Sequence, residues 1–134
     1  IYALYERYIC QRHSDGDMYP PSMAQFEDFL CDSPSSSNTR FICFRLDKKL
    51  LAVAVVDMLP AGISAIYTFF DPDYHARSLG RLAVLWQIRW GKSQKMSFVY
   101  LGYWIKECQK MSYKTEYQPL EVFDGVDWQT LAPL

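Results

Sequence analysis

The sequence predicts an α+β domain in which helices flank a mixed β-sheet. Three observations carry this prediction: two helical patterns open the chain, three strand patterns follow with no helix between them, and a long helix separates the third strand from a fourth. The chain has 134 residues, half of them apolar, which suits a single domain with a substantial core.

The two helical patterns lie before the first strand. Apolar residues at helical spacing predict a first helix over residues 2–13, which ends at the turn-forming residues 14–17. Ser22 followed by Gln25 predicts a capping box at the start of a short second helix, whose apolar face includes Phe26. Residues 32–38, which include Pro34, are expected to be a linker-like loop.

From Thr39 onward the apolar period changes to two, which is typical of strands. Strands are predicted over residues 39–46, 50–58 and 63–70, joined by turns into an antiparallel meander. The second strand is almost continuously apolar, so we expect it to be covered on both faces.

The remaining elements begin with a long helix over residues 78–95 and a short strand over residues 98–101. The apolar side of the long helix is expected to comprise Leu79, Leu82, Leu85, Trp86 and Trp90. After Gly102, the spacing of Trp104, Cys108 and Met111 predicts a last helix that ends near residues 112–113. Strands over residues 115–118 and 120–123 are then predicted before an irregular tail.

The charges are unevenly distributed along the chain. Net charge is −1, yet residues 77–114 hold eight basic groups and one acid, whereas the remainder holds six basic groups and fourteen acids. Lys106, Lys110 and Lys114 recur at intervals of four, so they are expected to form an outward row of cations. Such a segment suits a polyanion; the alternative is an ordinary solvated helix face.

The cysteines and histidines indicate no metal site, and no cofactor is expected. Four cysteines are scattered without a C-x-x-C pair, so we expect buried free thiols. No stretch resembles a signal peptide or a membrane span, which predicts a cytoplasmic chain without membrane partners. Because the chain begins at Ile1, it is expected to be part of a longer protein.

The order of these elements is similar to that of the GNAT (acyl-CoA N-acyltransferase-like) fold. In that plan a strand, a loop of backbone amides and a helix N-terminus form the site of the acyl donor. Residues 77–80 (R-S-L-G) occupy the loop position and resemble a partial donor loop, with Leu82 where a small residue is expected. The alternative is a simple helix-start turn.

Four stretches together resemble one family, the C-terminal domain of aminoacyl-tRNA–protein transferases. They are residues 4–22 (LYERYICQRHSDGDMYPPS), 67–74 (YTFFDPDY), 78–80 (SLG) and 100–114 (YLGYWIKECQKMSYK). The resemblance implies a GNAT-like fold for residues 1–134 and a role in the N-degron pathway. Family members also carry an N-terminal domain with a cysteine motif that this chain lacks, so the chain alone is not expected to turn over.

The resemblance implies a transfer that needs no covalent enzyme intermediate, because an aminoacyl ester on tRNA is already activated. A base must deprotonate the acceptor amine, and Asp71 and His13 are the candidates. Asp71 is alternatively a turn residue, and His13 a capping or core histidine. Arg7, Arg12 and Lys106 are candidates for binding the acceptor carboxylate.

The resemblance also implies a site for the aminoacyl-tRNA donor. The residues expected there are Tyr67, Arg77, Ser78, Leu79, Gly80, Tyr100, Tyr103, Lys106, Lys110 and Lys114, with Arg81 as a further phosphate contact. The lysines and arginines suit phosphates, the loop amides suit the ester carbonyl, and the tyrosines suit the aminoacyl pocket.

The segment G-D-M-Y-P-P-S resembles the bacterial branch of the family, which transfers leucine to N-terminal Asp or Glu, rather than the eukaryotic branch, which transfers arginine. A pocket near Phe69, Phe70 and Leu82 is apolar if Asp71 and Asp73 are engaged in the turn, and an apolar pocket favours leucine. Two alternatives remain: an acetyl-CoA-dependent N-acetyltransferase and a non-catalytic tRNA or protein docking module.

Overall fold

The chain divides into two units, Ile1–Tyr100 and Leu101–Leu134. This computed structural model describes residues 1–31, 38–104 and 106–131, without the side chains of residues 75–77 and 110. The linker-like residues 32–37 therefore lie outside the described part of the chain.

A four-stranded mixed sheet forms the centre of the first unit, in the order β1-β2-β3-β4. The strands are β1 (Thr39–Leu46), β2 (Lys49–Leu59), β3 (Gly62–Phe70) and β4 (Phe98–Tyr100). The first three pair antiparallel and β4 lies parallel to β3. All four strands predicted from periodicity are confirmed to within a residue at each end, and Leu51–Val56 of β2 is buried as expected for a strand covered on both faces.

Local backbone geometry explains how the strands connect. Asp47 and Lys48, which join β1 to β2, have positive φ values of 49° and 75°. Two such residues form the type of hairpin turn that matches the twist of the flanking strands. A Cβ on Gly62 would lie 2.1 Å from the carbonyl oxygen of Phe98, so only glycine lets β4 come alongside β3 here. The β3–β4 pairing covers three positions and ends at Ser64 and Tyr100.

Helices cover the two faces of the sheet. Helix α1 (Tyr2–Arg12) and helix α2 (Met23–Phe26), which a π-helical turn (Glu27–Cys31) continues, pack with Val53 and Val55 of β2. Ala52 of the same strand packs with Leu79, at the start of α3 (Leu79–Ser93). Because neighbouring strand residues point to opposite faces, α1 and α2 lie on one face and the start of α3 on the other.

The predicted capping box at α2 is confirmed in its first half. The hydroxyl of Ser22 accepts a hydrogen bond from the backbone N–H of Gln25 at 3.1 Å. The side chain of Gln25 instead accepts from the hydroxyl of Tyr5 at 3.2 Å, which ties α2 to α1.

The buried face of α3 differs from the predicted one. Its buried residues are Leu79, Ala83, Val84, Gln87 and Gly91. Leu82 and Leu85 are 46% and 55% exposed, so their assignment to the core was wrong. The small residues Ala83 and Gly91 let the helix lie close to the sheet, since a Cβ on Gly91 would be 3.3 Å from Ile63.

The second unit contains a 3₁₀ helix (Gln109–Glu116) and a hairpin of β5 (Leu120–Phe123) and β6 (Trp128–Leu131). The predicted strand at 120–123 is confirmed. The helix predicted from Gly102 was wrong, because Cys108 has an extended backbone and the 3₁₀ helix begins only after it. The strand predicted over residues 115–118 was also wrong, since residues 115 and 116 end that 3₁₀ helix, and β6 lies in the tail expected to be irregular.

The four cysteines form no disulfide in the described part of the chain. Cys10 and Cys31 are exposed, so the expectation of buried thiols was wrong for these two, while Cys43 and Cys108 are half-buried.

Candidate functional site

Four predicted site residues lie on two elements that pack against each other, α1 and the end of β3. Arg7 and Arg12 lie on α1, His13 follows its last residue, and Asp71 follows β3. The ring of Phe70 contacts Arg12 and Tyr8, and we call these residues, with Arg7, His13 and Asp71, the α1–β3 site.

Asp71 is fully buried and is held by two cations. The guanidinium of Arg7 donates to both carboxylate oxygens of Asp71, at 3.0 and 3.1 Å, and also to Asp73 at 2.9 Å. Lys49 lies 3.6 Å from Asp71, and the backbone N–H of Asp73 donates to the same carboxylate at 3.0 Å. The sequence analysis did not identify Lys49 as a site residue.

These contacts decide how basic Asp71 is. Burial alone would raise the pKa of Asp71, but the hydrogen bonds from Arg7 and the Asp73 amide, with the charges of Arg7 and Lys49, outweigh it and lower the pKa. The pKa of Arg7 is raised, chiefly by its hydrogen bond to Asp71. A carboxylate with a lowered pKa is a weak base. The catalytic role of Asp71 and the acceptor-binding role of Arg7 stay predictions.

His13 is paired with a tyrosine one turn earlier on α1. Its Nε2 lies 2.9 Å from the hydroxyl of Tyr8, and the two rings are 4.8 Å apart between centroids. The ring of Tyr8 packs edge-on against Phe70 at 4.9 Å. Tyr8 was read only as a core residue of α1, because periodicity reports burial of the ring and not the partner of the hydroxyl.

The guanidinium of Arg12 lies over the ring of Phe70. Its guanidinium carbon lies 5.4 Å from the centroid of the Phe70 ring, and the side chain is exposed. In the ranges 1–31, 38–104 and 106–131 the structure gives Arg12 no carboxylate partner. A stacked guanidinium keeps its N–H edge for an incoming carboxylate.

The predicted donor loop borders Phe70 as well. Ser78 precedes α3 in the left-handed region (φ 49°, ψ 52°), and its side chain makes no capping hydrogen bond. The carbon Cε1 of Phe70 is 4.0 Å from where a Cβ on Gly80 would lie, and Leu79 is buried. The side chain of Arg77 lies outside the described residues, and that of Arg81 is exposed.

Tyr67 and Tyr100 are half-buried on neighbouring strands. Tyr67 packs edge-on against Tyr8 at 6.3 Å and Phe29 at 5.6 Å, and burial raises its pKa, so its hydroxyl remains a donor. The ring of Tyr100 lies 5.9 Å from that of Phe98. Their role in an aminoacyl pocket stays a prediction.

The predicted row of outward lysines does not form in the second unit. Lys114 is half-buried, donates to the carbonyl oxygen of Tyr103 at 2.6 Å, and has its pKa lowered by burial. Lys106 is exposed, and the side chain of Lys110 lies outside the described residues. Tyr103 is 90% exposed. The prediction of a regular row was wrong because it assumed an α-helix over these residues.

Over the described part of the chain, no group of three or more His, Cys, Asp or Glu side chains is placed to hold a metal ion. The same residues include no helix that is both long and apolar enough to span a membrane.

A family model described as "Arginine-tRNA-protein transferase, C terminus" matches residues 1–124. The chain belongs to this family. The resemblance drawn from four sequence stretches is therefore confirmed.

Curated relatives agree with this assignment. An aspartate/glutamate leucyltransferase of Stutzerimonas stutzeri (strain A1501) is 58% identical over 133 residues, which are 98% of this chain and 55% of the relative. Proteins of the same name from Pseudomonas syringae pv. syringae (strain B728a) and Hahella chejuensis (strain KCTC 2396) are 56% and 53% identical over 97% of this chain, and 54% and 55% of their own lengths. The chain thus spans about half the length of the curated relatives it matches.

Proposed function

We propose that this chain is the transfer domain of an aminoacyl-tRNA–protein transferase, which moves leucine from charged tRNA to the N-terminal Asp or Glu of acceptor proteins in the cytoplasm. The relatives' name and the family support the reaction class. The observation that carries the site assignment is that Arg12 lies over the Phe70 ring, which also packs against Tyr8, the partner of His13. In an N-terminal Asp or Glu a carboxylate and an α-amine are also close together.

The acceptor end of the reaction follows from that placement. Arg12 binds the side-chain carboxylate of the acceptor through its free guanidinium edge, which fixes the amine next to His13. His13 takes the proton from the ammonium group, and Tyr8 orients the imidazole ring through the 2.9 Å contact. The amine nitrogen then bonds to the ester carbonyl carbon and loses a second proton, which is released to water. The C–O bond to the ribose breaks, and the proton held by His13 passes to the leaving ribose oxygen.

The donor end uses a GNAT-like arrangement. Three features support it: β3 and β4 stop pairing after Ser64, β3 bulges at Ile66 where the β2–β3 register shifts, and the N-terminus of α3 borders Phe70. We infer that the backbone N–H groups of residues 78–80 bind the ester carbonyl. In the same proposal, Arg77 contacts a phosphate of the donor tRNA.

The charges of the α1–β3 site support leucine over arginine. Asp71 and Asp73 are the acids nearest the donor loop in sequence, and both are bound by Arg7. A buried guanidinium of a donor arginine would need an unengaged carboxylate, whereas leucine needs only an apolar wall.

A chimera tests this function at full length. We would replace the matching part of the Stutzerimonas stutzeri leucyltransferase by this chain and offer leucyl-tRNA or arginyl-tRNA with peptides that start in Glu or Gln. We expect leucine transfer to the Glu peptide only. Binding of acetyl-CoA in preference to charged tRNA would support an acetyltransferase instead, and equal binding of charged and uncharged tRNA without transfer would support a docking module.

Two substitutions in the chimera test the residue roles. Arg12→Gln should lower kcat/KM for the Glu peptide by about 10- to 100-fold, since it removes a charged hydrogen bond, while the exposed Arg45→Gln control changes little. His13→Ala should lower kcat by about 100-fold or more with KM retained. An Arg12→Gln variant that still prefers Glu over Gln peptides would refute the carboxylate assignment.

A further inference from the structure

Tyr103 is an exposed aromatic side chain without a packing role. It is 90% exposed, the largest fraction among the large apolar side chains that the structure describes. A tyrosine ring left in water contributes almost nothing to a core, so both of its faces are available to a partner.

The backbone that carries Tyr103 is nevertheless tied to the 3₁₀ helix by a hydrogen bond. Gly102 has a φ of +84°, which glycine adopts without strain. Lys114 donates to the Tyr103 carbonyl oxygen at 2.6 Å from the 3₁₀ helix. That helix is itself tied by hydroxyl-to-carbonyl bonds, from Ser112 to Gln109 at 2.7 Å and from Thr115 to Ser112 at 2.9 Å.

Lys114 gives up solvation to make this contact. Its side chain is half-buried, and burial lowers its pKa, the opposite of what a phosphate-binding lysine at the surface would show. The Lys114 amine, which binds a backbone carbonyl three residues after the end of β4, therefore anchors this loop. A fixed, exposed aromatic ring is a preorganised stacking surface, and every nucleobase has a face that can stack on it.

We propose that Tyr103 stacks on an unpaired nucleobase at the 3′ end of the aminoacyl-tRNA, and that Lys114 is a positioning residue which holds the Tyr103 loop. The inference rests on the proposed function, because it takes tRNA as the partner. It also reverses the sequence expectation for Lys114, which was a phosphate contact.

The test uses this chain and a tRNA that carries 2-aminopurine in its single-stranded 3′ end, whose fluorescence is quenched by stacking. Tyr103→Ala should weaken binding by roughly five- to 150-fold and abolish the quenching, with the salt dependence of binding unchanged. Tyr103→Phe should keep both affinity and quenching. For a tRNA without its single-stranded 3′ end, the wild-type chain and Tyr103→Ala should bind equally.

Lys114→Met keeps the aliphatic stem but cannot donate. It should reduce quenching, add little to the effect of Tyr103→Ala, and leave the salt slope unchanged. The exposed Lys106→Ala serves as the matched control: if Lys106 contacts a phosphate, it lowers the magnitude of the slope by about 0.7–0.9 and keeps the quenching.

The outcomes separate this inference from the function on which it rests. If the unaltered chain binds tRNA and Tyr103→Ala binds it equally well with full quenching, the stacking role is refuted and the transferase proposal survives. The salt slope is that of the logarithm of the tRNA-binding constant against the logarithm of salt concentration. If Lys114→Met lowers its magnitude by about 0.7–0.9, the value of one phosphate contact, then Lys114 is a phosphate ligand and its positioning role is refuted. If the unaltered chain binds no tRNA and the chimera transfers no leucine, both proposals fail.

Discussion

The α1–β3 site and the Tyr103 loop are held in place in opposite ways. Arg7 and Asp71 are 64 residues apart and meet around a fully buried carboxylate, whereas Lys114 and Tyr103 are 11 residues apart and present an exposed ring. The first arrangement depends on the whole fold of its unit and the second on a few local bonds. We therefore expect substitutions of Arg7 or Asp71 to change stability and substitutions in the Tyr103 loop to change binding.

The largest effect is expected at Asp71. Asp71→Asn keeps the side-chain size but leaves Arg7 and Lys49 without their buried counter-charge. Unfolding in urea should show a loss of about 3 kcal/mol, at the low end for a broken buried pair because the Arg7 side chain, 39% exposed, can regain water. Asp73→Asn, where the side chain is 68% exposed, should cost less than about 1 kcal/mol. Equal losses in the two variants would contradict the distinction.

Acid should weaken the same ion pair. The contacts of Asp71 lower its pKa in the folded state, although burial alone would raise it. Its stabilisation is then complete above the unfolded pKa of about 3.9 and is lost as the pH falls through the lower folded value. Between about pH 5 and pH 3 the wild-type urea midpoint should drop more steeply than that of Asp71→Asn. Parallel curves would mean that Asp71 contributes nothing to the acid sensitivity.

The two regions also differ in how far the sequence predicted them. Strand alternation and the apolar run of β2 report burial directly, so the sheet and α1 were predicted almost to the residue. The hydroxyl of Tyr8 and the amine of Lys49 were missed, because periodicity says which face is buried and not which polar atoms meet across it. In the second unit the i, i+4, i+7 spacing of Trp104, Cys108 and Met111 predicted an α-helix. The structure instead has a left-handed Gly102 and a 3₁₀ helix that begins after Cys108.

Gly102→Ala tests the local arrangement. A Cβ there would be 3.8 Å from the Lys114 amine, an ordinary contact, so the cost of about 1–2 kcal/mol comes from the left-handed φ alone. We expect the variant to lose 2-aminopurine quenching. Gly125→Ala is the matched control, because its φ of +102° carries similar strain in the β5–β6 turn and should leave quenching unchanged.

Tyr8→Phe tests whether the hydroxyl next to His13 matters for transfer. The ring contact with Phe70 remains, so stability should fall by about 1 kcal/mol, the value of one hydrogen bond, while kcat of the chimera falls several-fold. Tyr5→Phe on the same helix also loses a hydroxyl contact, to Gln25, and should match it in stability without affecting kcat. Equal kcat values in the two variants would remove Tyr8 from the mechanism.

The smallest effect is expected at Ser78, the residue with left-handed geometry in the donor loop that precedes α3. Ser78→Gly relieves this strain but loosens the unfolded chain, so thermal unfolding should show a gain below about 1 kcal/mol. Ser78→Ala keeps the strain and removes a hydroxyl that makes no capping bond, so it should be close to neutral for both stability and transfer. If the loop acts through its backbone N–H groups, only the glycine variant should lower kcat, because only it frees the backbone. A larger loss of transfer in Ser78→Ala would instead place the hydroxyl against the substrate.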